Sequence, residues 1–477
     1  LVMSSRNNLA TGRIGKLLFS LAVPSIIAQL VNVLYNIVDR IFIGKMADST
    51  IAMAGLSTAL PLVTLIMAFT QLVGVGGAPL CAIKLGEKNH DGAEEIMTNS
   101  FSALIISGVV ITITILLFQT PLLTLFGASN ETLKPASEYI TIYALGTVFV
   151  QIAFGMNAYI NTQGFAKIGM STVLIGAIIN IILDPVFIFG FGLGVKGAAL
   201  ATIISQGVSA LWVLQFLFSK NSTIKIRKQY IIPKLKVLIP IVSLGVSPFV
   251  MASTESLLQI SFINQLSVYG GTLAVASMAI LNSIWQFISM PMMGLCQGAQ
   301  PIMSYNYGAK NYERVRQTFK LTFKCCLGLS FTFGGLFIIF ATPLVSIFTS
   351  DPTTIRFASW ALRIYVCGGM VMGAQNACQQ SFMALGQAKI SLVMALTRKV
   401  FLLIPLIYVL PIVMGNSSIA MNLAQPVADL VQHAGKVFAI YFAEPVSDTL
   451  ASLITTLMFV RFYRKHLSKT ALAHETE

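Results

Sequence analysis

Residues 76–89 read GGAPLCAIKLGEKN and residues 298–311 read GAQPIMSYNYGAKN. Laid over one another at a constant separation of 222 residues, Gly76, Pro79, Gly86, Lys88 and Asn89 fall on Gly298, Pro301, Gly308, Lys310 and Asn311. The same separation carries Gly164, Ala166 and Lys167 onto Gly386, Ala388 and Lys389. Chance pairing of Leu with Leu is common in an apolar chain, but Gly, Pro, Lys and Asn at loop junctions cannot come from apolar bias. The chain is an internal repeat, and a repeat of this kind decides the architecture before any single element is assigned.

Outward from these junctions the chain is apolar. Of its 477 residues 56% are hydrophobic and 10% charged, where a soluble globular domain carries about a quarter of its residues as charges. A helix needs about 20 apolar residues to cross a bilayer, and twelve such runs occur, near 17–43, 51–80, 96–118, 138–161, 168–190, 196–218, 238–266, 273–303, 318–343, 356–383, 390–413 and 438–461. The expected fold is an all-α membrane protein with twelve transmembrane helices. Six helices per repeat return the chain to its starting side, so the two six-helix bundles insert in parallel around a central cleft, the geometry of alternating access.

The net charge of +14 does not point to nucleic acid, because the basic residues sit in short loops and at helix ends. Lys225, Arg227, Lys228, Lys234 and Lys236 lie in the mid-chain linker, and Lys310, Arg314, Arg316 and Lys320 follow the eighth run. The positive-inside rule then puts both termini in the cytosol. The N-terminal LVMSSRNNLATGRIGK has no short apolar core with a cleavage site, so no secretory signal peptide is read there. The expected divisions are an N-terminal bundle over 1–218, a basic cytosolic linker over 219–237, a C-terminal bundle over 238–463 and a cytosolic tail over 464–477.

The repeat slips once. Ser205 matches Ser447 at a separation of 242, so the second half carries about 20 extra residues. IAMNLAQPVADLV at 419–431 and FAIYFAEPVSDTL at 438–450 identify them as a tandem duplication over 419–437. This insert is expected to form an outward loop or surface helix, dispensable for folding.

Six cysteines (Cys81, Cys296, Cys325, Cys326, Cys367, Cys378) show no Cys-x-x-Cys pair and read as small packing residues. His90, His433, His466 and His474 are read as lying in loops or the tail, which argues against a histidine-based catalytic or zinc site within the helices. No phosphate-binding loop is present, so a nucleotide-driven pump is excluded and the chain is not read as an enzyme.

Charges at bilayer depth cost at least ~2.5–3.5 kcal/mol on insertion scales and are functional candidates by default. The strongest are Asp39 in the first run and Asp184 in the fifth, with Glu255 and Arg398 behind them. Asn180 and Asp184 are four apart and share a helix face, Thr202 can add a hydroxyl, and Asn157 can orient the carboxylates. Oxygen-only groups suit a hard cation such as Na+, and paired desolvated carboxylates suit a proton. The bland reading of Glu255 has it satisfied by Ser253 or Ser256, that of Arg398 has it snorkelling to the cytosolic face, and Asp448 reads as interfacial. Tyr35, Tyr139, Met156, Met290, Met292 and Met293 can line an adaptable cavity, although such stripes more often meet lipid.

Five segments in order, PSIIAQLVNVLYNIVDRIFIG (24–44), MNAYINTQGFAKIGM (156–170), IINIILDPVFIF (178–189), GVKGAALATIISQ (194–206) and GAQPIMSYNYGAKNYERVR (298–316), carry a resemblance. The chain resembles the multidrug and toxic compound extrusion (MATE) family over nearly its whole length, in its DinF-type bacterial branch; the 419–437 insert departs from the pattern. The resemblance implies an inner-membrane antiporter, a monomer among membrane lipids, exporting small lipophilic and often cationic compounds in exchange for H+ or Na+, with no cofactor and no tightly bound metal. It also implies that Asp39, Asn157, Asn180, Asp184 and Thr202 form the first-half proton or Na+ site, that Glu255 is a second acid, and that Pro24 marks the bend of the first helix. The alternative is a flippase for lipid-linked saccharides, which needs a basic rather than an acidic cavity.

Overall fold

The computed structural model describes residues 8–46 and 49–467, and within them the chain is helical almost throughout. The elements are α1 (Ile14–Gly44), α2 (Ser49–Gly86), α3 (His90–Leu125), α4 (Leu133–Leu145), α5 (Thr147–Gln151), α6 (Asn157–Thr162), α7 (Ala166–Pro185), α8 (Val195–Phe218), α9 (Leu235–Gly308), α10 (Tyr312–Ile339), α11 (Ala341–Ser346), α12 (Pro352–Ala384), α13 (Ala388–Leu396), α14 (Ile404–Val413), α15 (Ser418–Ala424) and α16 (Ala434–His466). The first seven residues, the tail beyond Leu467 and with it His474 lie outside the described residues.

Ten of the described helices are long and apolar enough to cross a bilayer. Helices α4 to α6, bent by 59° at a short break, supply one further crossing. Helix α9 supplies two: its 74 residues would make a rod of about 110 Å, far beyond a hydrocarbon core of about 30 Å. The chain turns at Gly271, where φ is 65° and ψ −161°, a conformation open only to a residue without a side chain. Twelve crossings result, as the apolar runs predict.

The repeat junctions are alike in their backbone. Among the described residues Lys88 and Lys310 are the two non-glycine residues with positive φ, at 61° and 56°. The Asn89 N–H donates to the Lys84 carbonyl at 2.9 Å, and the Asn311 N–H to the Asn306 carbonyl at 2.8 Å. Gly164 and Gly386, also a repeat pair, are both left-handed. The chain crosses itself at these ends: a Cβ on Gly86 would stand 1.9 Å from the Tyr305 carbonyl oxygen, and one on Gly308 would stand 2.0 Å from that of Ile83. Tyr305 is the repeat mate of Ile83, so one contact is made twice by related residues.

Two compact units emerge. Unit 1 holds the chain up to Ser253 with Gln297–Val315 and Met383–Lys389; unit 2 holds Thr254–Cys296, Arg316–Phe382 and the chain from Ile390. Within unit 1 the basic linker is clamped onto α3. Buried Glu94 accepts from the Lys225 N–H at 2.9 Å and from Arg227 Nε at 2.6 Å, and Asn99 Oδ1 accepts from the Lys234 N–H at 2.6 Å. Gln163 Oε1 accepts from the Thr223 N–H at 2.7 Å.

The 419–437 insert is the short surface helix expected, with most of its residues exposed and one apolar face turned inward. It adds no crossing: its helix α15 has seven residues and ends in a single 3-10 turn. It is not a free surface loop either, since Ala420, Ala424 and Val427 are buried in the apolar core of unit 2. Trp360 Nε1 donates to the Leu423 carbonyl at 2.9 Å, and Asp429 takes a two-pronged bond from Arg356 at 2.8 and 3.0 Å. Apolar residues kept one turn apart gave the copied segment a face to bury, and it was used.

Two outcomes follow for stability. Gly86→Ala and Gly308→Ala should each lower the melting temperature of the purified protein, or prevent its recovery, because overpacking against backbone costs about 1–3 kcal/mol or more; Gly328→Ala, where an added Cβ meets nothing within 4 Å, should not. Deleting 419–437 should lower the melting temperature as well, and a deletion protein as stable as the parent would show that the buried alanines contribute nothing.

Candidate functional site

In unit 1 the site is built on α1, α7 and α8. Helix α1 packs along α7, and α7 along α8. Asn180 and Asp184, one turn apart, are both buried, and Asn180 Nδ2 donates to Asp184 Oδ1 at 3.2 Å. The same amide reaches Thr202 Oγ1 at 3.4 Å, while the Thr202 hydroxyl donates to the Ala198 carbonyl at 3.0 Å. Two oxygens remain buried without a hydrogen-bond partner, Asn180 Oδ1 and Asp184 Oδ2. Buried polar atoms nearly always have a partner, so two together on one helix face mark a place for a ligand.

Asp39 of α1 is buried, and its charge and that of Asp184 act on one another. Tyr35, one turn before Asp39, and Tyr139 on α4 lie within electrostatic reach of both. Tyr143 stacks on Tyr139 with ring centroids 5.9 Å apart. Sequence reading singled out Tyr35 and Tyr139 but not Tyr143, whose one-turn spacing from Tyr139 was the available signal.

The wall of α7 continues into a narrow cleft lined by Asn32, Tyr35, Thr172, Asn180, Ser205 and Gln206 among others. Its polar lining is amide and hydroxyl. Asn157 stands elsewhere: its Nδ2 donates to the Gly169 carbonyl at 3.1 Å, at the other end of α7, about 22 Å along the helix from Asp184. Pro24 lies inside α1, which runs as one helix through it.

Backbone irregularity marks these places. Wide π-helical turns occupy Ile152–Met156, directly before Asn157, and Val186–Gly190, directly after Asp184 and Pro185. Proline has no N–H to give, and α7 widens where that bond is missing. A third such turn, Thr397–Leu403, carries Arg398 and Lys399 in unit 2. Single π-turns within helices are frequent at functional sites.

Unit 2 overturns three readings. Arg398 does not snorkel: it is buried, its Nε donates to Asp448 Oδ1 at 2.7 Å and its Nη2 to Glu444 Oε1 at 3.0 Å. Asp448 is not interfacial, because α16 begins at Ala434 and places it about 21 Å along the helix, wholly buried. Glu255 is held by Lys399, while Ser253 Oγ has no partner. Glu444 and Lys399 were missed, although both stand in apolar runs.

The fold and these buried charges define a polytopic helical membrane protein built from two repeats, with acidic side chains held inside each unit. The MatE family model matches the chain twice, at residues 24–186 and 248–409. The chain belongs to the MatE family, the multidrug and toxic compound extrusion (MATE) transporters. Multidrug export protein MepA of Staphylococcus haemolyticus (strain JCSC1435) is 28% identical over 408 residues, covering 86% of this chain and 89% of that protein. Multidrug export protein MepA of Staphylococcus aureus (strain NCTC 8325 / PS 47) is 27% identical over 415 residues, with 86% and 90% covered. Among solved structures, the MATE multidrug transporter DinF-BH in complex with R6G superposes with a TM-score of 0.85 at 32% identity, covering 97% of this chain and 99% of that one. An outward-facing multidrug resistance MATE family transporter superposes with a TM-score of 0.86 at 22% identity, over 98% of this chain and 100% of that one.

Removing the guanidinium should be severe. Arg398→Met strands two buried carboxylates, and breaking a buried ion pair on one side costs about 3–5 kcal/mol. The variant should melt well below the parent in detergent; an unchanged melting temperature would show that the pairs contribute no net stability.

Proposed function

We propose that the protein is a secondary antiporter that exports small lipophilic, often cationic, organic compounds across a bacterial cytoplasmic membrane in exchange for H+ or Na+. The single observation behind this is the cluster of Asp39, Asn180, Asp184 and Thr202 beside a cleft of amides and hydroxyls. Two carboxylates in a low-dielectric wall cannot cheaply stay ionised and unmatched, so each takes up a proton, a metal ion or a cationic substrate. Competition between these ligands gives exchange when only liganded states interconvert between inward and outward forms.

The relatives support the same reading. Two are named for multidrug export and a third, the DinF-type transporter, is described with R6G bound. The oxygen-only donors Asp39, Asn180, Asp184 and Thr202 fit a hard, exchangeable cation rather than a resident transition metal. Asn157 acts in this reading through the packing of its helix on the start of α7, Pro24 through a bend of α1, and Glu255 as a second acid. The repeat halves 1–218 and 238–463, the linker 219–237 and the tail 464–477 are its functional divisions, with both termini cytosolic. The protein is read as a monomer among membrane lipids.

Asp184→Asn keeps the side-chain volume and removes the charge. Reconstituted in liposomes, it should reduce gradient-driven efflux of a lipophilic cationic dye to background while the protein stays folded, and Asp39→Asn should do the same. Thr202→Val, which removes one neutral acceptor, should weaken coupling-ion binding by about 1 kcal/mol, roughly fivefold. Separate pH and Na+ gradients identify the coupling ion; efflux by both Asn variants at the parent rate under either gradient would refute the site.

A further inference from the structure

The repeat relates a second set of side chains to the first. At the 242-residue separation fixed by Ser205 and Ser447, Thr202 matches Glu444 and Gln206 matches Asp448. At the 222-residue separation, Gly176 and Ala177 match Arg398 and Lys399. Gly176, Ala177 and Gln206 line the unit 1 cleft. The positions that shape a cleft in one half are therefore filled with ionisable groups in the other.

Those groups do not balance. One guanidinium serves two carboxylates: Arg398 bonds Asp448 Oδ1 and Glu444 Oε1. Lys399, the adjacent cation, is engaged by Glu255. Each of the two buried acids keeps a second oxygen, Glu444 Oε2 and Asp448 Oδ2, without a hydrogen-bond partner. Glu444 is 4% exposed and Asp448 0%. Lys399 lies within electrostatic reach of Glu444 as well, and polar groups on neighbouring turns are engaged. Tyr365 comes from α12, within electrostatic reach of Glu444, Glu255, Asp448 and Arg398. The Tyr441 hydroxyl donates to the Ala274 carbonyl, the Ser447 hydroxyl to the Arg398 carbonyl, and Met372 Sδ accepts from Arg398 Nη2.

We propose that Glu444 and Asp448 jointly hold one exchangeable proton, carried on Glu444 Oε2 or Asp448 Oδ2, and so form a proton-binding site in the second half. Two carboxylates against one guanidinium leave one negative charge over, and an unmatched charge in a dry interior is neutralised by uptake of a proton. A metal ion is the poorer ligand: hard cations take a shell of about six or more oxygens, whereas the two acids offer one unbonded oxygen each and the guanidinium beside them repels a second cation. A proton needs one lone pair. Glu255, whose side chain is 54% exposed while that of Lys399 is 7% exposed, lies within electrostatic reach of Glu444. This site stands in unit 2 and does not depend on the coupling role assigned to Asp39 and Asp184.

Infrared spectroscopy of the full-length protein in lipid at neutral pH tests it, through the carbonyl stretch of a protonated carboxylic acid shielded from water. Asp39→Asn/Asp184→Asn removes the first-half acids from the spectrum, and a protonated-acid band should remain. Adding Glu444→Gln or Asp448→Asn should remove it, because the surviving carboxylate then matches Arg398 one to one. Absence of the band in Asp39→Asn/Asp184→Asn alone would overturn the proposal, with no need for the second-half variants to fold. Persistence of the band after both Glu444→Gln and Asp448→Asn, tested singly, would overturn it too. Since the measurement reads protonation and not transport, its failure would leave the antiport reading standing, and loss of dye efflux alone would not touch this one.

Discussion

Backbone N–H and C=O groups have no water to turn to inside hydrocarbon, and each one left unbonded costs several kcal/mol. The near-total helicity of this chain is the answer to that constraint, and its departures are informative for the same reason. Where the ladder of α7 loses a donor at Pro185, the helix widens over Val186–Gly190, one residue from a carboxylate. Where α9 reverses, the turn falls on Gly271. The same lack of water governs side chains, so Arg398 is held between two carboxylates and Lys399 is paired with Glu255.

Much of the fold is legible from hydropathy and from the 222-residue repeat, because both reflect requirements that hold for every residue in a span. Glycines at Gly86 and Gly308 are required by backbone crossings and lysines at Lys88 and Lys310 sit on left-handed turns, so the junctions were conspicuous. Asn180, Asp184 and Thr202 were also legible, since helical spacing alone places the first two on one face.

The rest depends on which helix lies opposite which, and periodicity does not carry that. The partner of Arg398 is 50 residues away on α16, and nothing local distinguishes a paired arginine from one reaching towards the interface. Asp448 was read as interfacial for the same reason, since its partner Arg398 stands on another element. Glu444 was hidden by the tandem copy, in which Gln425 stands at its place. Asn157 shows the same limit: its polarity suggested company with the acids, and periodicity could not show that its Nδ2 donates to the Gly169 carbonyl.

The paired contacts Gly86 with Tyr305 and Gly308 with Ile83 also bear on descent. A six-helix ancestor present as two identical copies would show every side chain twice, so a guanidinium acquired by one copy would arrive in both. In a single chain that restriction is absent. Thr202 and Glu444, or Gly176 and Arg398, could then diverge at equivalent positions while the shared crossing stayed fixed by its glycines. The two halves of this chain are thus free to specialise, one built on neutral oxygens around a carboxylate pair and the other on ion pairs, within a scaffold that neither could alter alone.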